Sequence, residues 1–89
     1  KSPESALKAN ELYIQLPENF RRSITSMVAT SSDTFTLLCT LEGRDIRIRW
    51  GDSQDVALKI SVINKLLKLP ENKQIKVIDV VAPYAPIVK

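Results

Sequence analysis

TFTLLCTLEGRDIRIRW, residues 34–50, alternates in side-chain character twice, with a break in its middle. In the first half Phe35, Leu37, Cys39 and Leu41 share one face, and Thr34, Thr36 and Thr40 share the other. In the second half Ile46, Ile48 and Trp50 oppose Asp45, Arg47 and Arg49. A period of two places successive side chains on opposite faces of an extended chain, so both halves read as strands with one dry and one wet side. Glu42 and Gly43 stand between them as a tight turn, and two strands so joined must lie antiparallel.

Working outward, Ile24 to Ala29 shows a weaker alternation, and Ser31, Ser32 and Asp33 supply turn chemistry before Thr34. Three strands in a row with short connections predict an antiparallel meander. Upstream, Ser2, Pro3 and Glu4 read as a helix start. A hydroxyl can cap, proline suits the first helical position and an acid suits the positive end of the dipole. Ala6, Ala9, Tyr13 and Leu16 recur at spacings of three and four, which predicts a helix over 3–16 with those residues inward. Pro17 ends it, and a short helical turn follows through Phe20 and Arg22.

Downstream, Gly51, Asp52 and Ser53 break the strand, and Asp52 or Ser53 is placed to cap a helix over 53–68 with Asp55 in its first turn. Val56, Ile60, Ile63 and Leu67, widened by Leu66, form one apolar stripe that must lie on the sheet. Lys65 and Lys68 suit the negative end, and Pro70 stops the helix. Ile75 to Val81 is rich in β-branched residues and apolar on both sides, which predicts an interior strand. Pro83 and Pro86 lack N–H groups, so no regular ladder runs through both. A kink at Tyr84 and Ala85 and a short extended exit through Ile87 and Val88 are expected.

The fold expectation is therefore α+β: a single domain over 1–89, with a mostly antiparallel sheet of four to five strands and two helices. Eighty-nine residues, 44% of them apolar and 26% charged, suit one small core. A chain of this size removes only about 60 to 65% of its unfolded surface from water, which leaves no room for a deep private cleft. Thirteen Lys and Arg against ten Asp and Glu give a spread charge of +3. No apolar run reaches the span of a membrane helix, and no signal-peptide order is present. Lys1 in place of methionine reads as the start of an excised piece.

The residue types also limit chemistry. With no histidine and one cysteine, the chain offers no general base near neutrality, no internal disulfide and no set of zinc or iron-sulfur ligands. Asp33, Glu42, Asp45 and Asp52 fall at turns or caps. Asp79 lies inside an apolar strand, where a cross-strand ion pair with Arg47 or Arg49 is expected. Cys39 is expected to be a buried, inert thiol. Gly43 and Gly51 are the only glycines, so no phosphate-binding loop exists. Arg21, Arg22, Arg44, Arg47 and Arg49 could meet phosphates, but Trp50 shares parity with Ile46 and Ile48 and is assigned to the core. The expectation is a protein that is not an enzyme, with no cofactor, no metal and no small-molecule substrate.

Three ordered segments resemble the C-terminal β domain of the bacterial cell-division protein FtsQ, called DivIB in Gram-positive bacteria. Leu41, Glu42, Gly43, Arg44 through Ile48, Trp50 and Gly51 are similar to that family's turn-and-strand passage. Asp55, Lys59 and Leu66 fit its helix, and Ile78, Asp79, Val80, Val81, Pro83, Pro86 and Val88 fit its closing strand. The helix running into Leu16 and Pro17 is similar in style, so most of the chain is covered.

The resemblance implies a domain outside the cytoplasmic membrane at the division septum. A membrane-spanning helix and a POTRA domain would precede it. It also implies a divisome scaffold that binds small bitopic proteins of the FtsB and FtsL type by adding a strand to a sheet edge. Carried over by position, the partner site falls on Val81, Ala82, Pro83, Tyr84, Ala85, Ile87 and Val88. Because the prolines interrupt this stretch, the expected arrangement uses Tyr84, Ile87 and Val88 for side-chain contacts and the backbone before Pro83 for pairing. The resemblance implies no nucleic-acid partner and a membrane link only through the preceding helix; the alternative from another class is a small basic nucleic-acid-binding module.

Overall fold

The computed structural model describes residues 3–31 and 34–89. Ser2, Ser32 and Asp33, and with them the proposed cap and part of the first turn, lie outside the described residues. In chain order the elements are α1 (Pro3–Gln15), α2 (Glu18–Arg21), β1 (Ile24–Ser31), β2 (Thr34–Leu41), β3 (Arg44–Gly51), α3 (Val56–Lys68), a 3-10 turn (Pro70–Asn72), β4 (Val77–Asp79) and β5 (Ile87–Val88). One five-stranded sheet runs in the order β1-β2-β3-β4-β5. β1, β2 and β3 form the antiparallel meander, β4 joins β3 in parallel, and β5 returns antiparallel on β4. The expected α+β class and mostly antiparallel sheet are both observed.

The alternation of 34–50 decides the layers. Phe35, Leu37, Cys39, Ile46, Ile48 and Trp50 are all buried, and with Ile78 and Val80 they line the face that the helices cover. The turn at Glu42 and Gly43 places both residues at positive φ, 52° and 75°. That pattern matches the right-handed twist of a two-residue hairpin, with Glu42 in a conformation more often given to asparagine or glycine. Among the described residues the opposite sheet face, bearing Thr36, Leu38, Arg47 and Arg49, carries no helix and stays half-buried or exposed.

Two helical readings need correction. In α1 the buried residues are Leu12 and Leu16, with Ala9 half-buried, whereas Ala6 is exposed and Tyr13 is 40% exposed. A leucine buries more apolar area than an alanine, so the helix turns its Leu12 side to the sheet. The start of α3 also differs. It begins at Val56, and Asp55 sits at the N-cap in the left-handed region (φ 56°) without a side-chain cap bond. Asp52 instead accepts the Gln54 N–H at 3.0 Å and the Lys59 ammonium at 3.3 Å. These bonds hold the Asp52 carboxyl below its usual range, the Gln54 bond being the larger cause.

Polar side chains bind the crossover from β3 to β4 together. Lys59, buried in the first turn of α3, donates to the Asp52 carbonyl at 3.0 Å and lies 5.3 Å from the centre of the buried Trp50 ring. An ammonium there is tolerable because its charge meets a carbonyl, a carboxylate and an aromatic face. Arg44 performs the matching task at the other end. Its guanidinium donates to Leu67 O (3.2 Å), Asn72 O (2.8 Å) and Lys73 O (2.9 Å), satisfying carbonyls where α3 and the 3-10 turn run out. Among the described residues no helix is long and apolar enough to cross a membrane.

Candidate partner-docking site

Val80 is the last anchor of the closing segment: it is buried, and its N–H donates to Arg49 O at 2.9 Å. One residue later the chain turns away, because the Val81 N–H bonds the Asp79 carboxylate at 3.0 Å rather than a strand. The other oxygen of Asp79 receives Arg49 Nη1 at 3.0 Å, so the expected cross-strand pair is present with Arg49 as the partner. Arg47 lies one row away. Gly51 makes this exit possible. A Cβ at that position would sit 3.2 Å from Val81 Cα, and φ is +87°, so a side chain would meet both a steric and a conformational barrier.

The Ala85 N–H donates to Ala82 O at 2.9 Å, closing a turn over 82–85. Pro83 occupies its second position, where a fixed φ is an advantage, and its ring is buried. Tyr84, next in the turn, is therefore thrown outward and is 84% exposed. After Pro86 the chain pairs back on β4, with Ile87 opposite Asp79 and Val88 opposite Ile78. The predicted kink and extended exit are both present.

Of the seven expected contact residues, six lie at the surface. Val81 (48%) and Ile87 (53%) expose large apolar area, Ala82 and Ala85 are exposed, and Val88 is half-buried because its side chain joins the core. Pro83 is the exception. It shapes the turn from inside and has little surface to offer a partner.

A second correction concerns the backbone. The expected pairing groups before Pro83 are not free: β4 spans only Val77–Asp79, not 75–81, and lies between β3 and β5. The 82–85 turn reverses the chain, so its own return strand occupies the border that the sequence left open. The free edge moves to β5. Lys89 and Val77 exchange both N–H···O bonds (3.0 and 3.2 Å), so the intervening Val88 points its N–H and C=O away from the sheet. By the same alternation Pro86 faces outward, with a carbonyl but no N–H.

Comparison with known protein families, curated proteins and solved structures finds no match.

The cationic residues are dispersed rather than gathered. Arg44 serves helix-end carbonyls, Arg49 meets Asp79, Arg22 pairs with Glu18 at 2.6 Å, and Arg21 stands over the Tyr13 ring at 5.6 Å. Trp50 is fully buried against Phe20, with ring centres 6.0 Å apart, and offers no stacking surface. Cys39 is buried as expected, and burial pushes its thiol up to about 11, partly opposed by the Ser23 hydroxyl. A neutral, enclosed thiol is a poor nucleophile.

Residue-by-residue reading missed Lys59 and Arg44 as the ties of the crossover. A lysine on the same helical stripe as Val56, Ile60 and Ile63 was the available signal for the first. Nothing local marked the second.

Proposed function

We propose that this domain is a non-catalytic scaffold of the bacterial divisome, of the FtsQ/DivIB type. It stands on the extracytoplasmic side of the cell membrane at the septum and docks small bitopic proteins of the FtsB and FtsL type. One observation carries the reading. Val81, Tyr84 and Ile87 hold large apolar area in water within one short segment, and that segment ends at an unpaired strand edge. Apolar side chains exposed together in a small domain mark a contact surface, and an open edge gives an incoming segment backbone bonds. The Val88 N–H and C=O are the backbone groups for pairing. Val81, Tyr84 and Ile87 supply the apolar contacts, with Ala82 and Ala85 leaving space beside them.

With only one outward N–H between Pro86 and Lys89, side-chain burial has to provide most of the affinity. Titration calorimetry of the domain against the extracytoplasmic segment of an FtsB-type protein tests this. Tyr84→Ala and Ile87→Ala are each expected to weaken binding by about tenfold or more while the melting temperature changes little, since both side chains are more than half exposed. Unchanged affinity in both variants rejects the placement.

A further inference from the structure

We infer that the opposite border of the sheet, β1, is a self-association edge through which two copies of this chain pair strand to strand. The starting observation is what β1 lacks. Ile24-Thr-Ser-Met-Val-Ala-Thr-Ser31 is eight residues long and contains no charge, no proline and no glycine. Sheet borders that must remain single are usually shortened, charged or broken by proline. Among the described residues β1 has β2 as its only strand neighbour.

The outward groups can be named. The Thr40 N–H donates to Ser23 O at 2.8 Å, so along β2 Thr40, Leu38 and Thr36 turn their backbone groups toward β1. Their partners on β1, Ser26 opposite Leu38 and Val28 opposite Thr36, hold the ladder bonds. Met27 and Ala29 therefore present N–H and C=O groups to solvent. Irregularities between Ile24 and Ser26 and between Ala29 and Ser31 bracket this regular stretch and confine pairing to it.

A second copy fits this edge better than a charged partner strand. Two-fold antiparallel pairing must set side chains of one face opposite each other, and centring it on Val28 matches Met27 with Ala29 of the other copy in both directions. It also brings the two Val28 side chains together on the uncovered face, where each is 40% exposed alone. No like charges oppose along the strand. The result joins two five-stranded sheets into one, and both β5 edges remain open.

Four variants of the 89-residue chain, with Tyr84→Cys as the control, test the inference by sedimentation and by thiol crosslinking. Val28→Cys should crosslink to itself under mild oxidant much faster than Tyr84→Cys, because directly opposed Cβ atoms in such a pair lie about 4.5–5.5 Å apart. Ala29→Pro removes an outward N–H and leaves the β1–β2 ladder bonds in place. Val28→Lys sets two ammonium groups face to face. Each should weaken dimerisation by about tenfold or more, with circular dichroism and melting temperature retained by Val28→Lys. A parent chain that sediments as a monomer at all attainable concentrations, or Val28→Cys crosslinking no faster than Tyr84→Cys, overturns the inference.

Discussion

The two borders of this sheet meet the same physical problem in opposite ways. β1 is long, uncharged and short in its side chains, so its unpaired backbone is its main feature. β5 is two residues long and follows Pro86, and what it and the preceding turn expose is apolar side chain. A border rich in free N–H groups selects partners by main-chain geometry, whereas one with a single outward N–H must select by side-chain fit. On the two proposals, one small sheet would hold two recognition edges without confusing them. A strand suited to β1 finds too few bonds at β5, and an apolar anchor suited to β5 finds only Val28 exposed among the larger side chains of β1.

The contrast can be broken most severely at Gly51. Gly51→Val puts a branched side chain at φ +87° against the Val81 backbone, and a loss of about 2–4 kcal/mol in urea unfolding is expected. Partner binding at β5 should fall with it, while β1-mediated association is spared in whatever fraction folds. Next in size is Ile87→Ala, for which titration should show about a tenfold weaker partner complex, close to 1.4 kcal/mol, with dimerisation untouched. Asp79→Ala removes the acceptor of the Val81 N–H and the partner of Arg49. About 1 kcal/mol of stability should be lost, together with sharper amide exchange through 80–86.

The smallest effect is alkaline. Burial raises the Cys39 thiol from its ordinary 9.0 to about 11, so the unfolded chain ionises first. Stability is then complete below pH 9 and declines as pH climbs toward 11. Cys39→Ala should flatten that slope in a pH series of melts. Cys39 lies opposite Ile24 across the β1–β2 ladder, so its alkylation rate also reports opening of the β1 border.

Much of this architecture was legible in the residues, for reasons that separate the elements. The meander rests on an alternation in 34–50 broken within its strands only by Leu38, which a one-residue slip would reverse, so few other arrangements were open. The stripe of α3 was equally constrained. In α1, small alanines at helical spacing imitated a buried face while Leu12 supplied the real one. The closing strand was overextended because the β-branched residues of 75–81 suit a strand at every position. Only the Asp79 carboxylate, by capturing the Val81 N–H, ends it early.

The candidate site was legible in part as well. Two prolines three apart foretold the turn that exposes Tyr84. They could not foretell that the turn folds Ile87 and Val88 back onto β4 and moves the open border outward, since that depends on a register formed in space. The β1 edge was hidden for another reason: weak alternation marks a strand, and the absence of charge becomes informative only once the strand proves to be a border.

Amide hydrogen exchange of the domain, alone and with the extracytoplasmic segment of an FtsB-type protein, tests the central claim most directly. Protection gained at Val88, with slowed exchange at Ile87 and through the Tyr84 turn and none added at Met27 and Ala29, is the predicted result. Protection arising at Met27 and Ala29 instead, or no change at Val88, would contradict it.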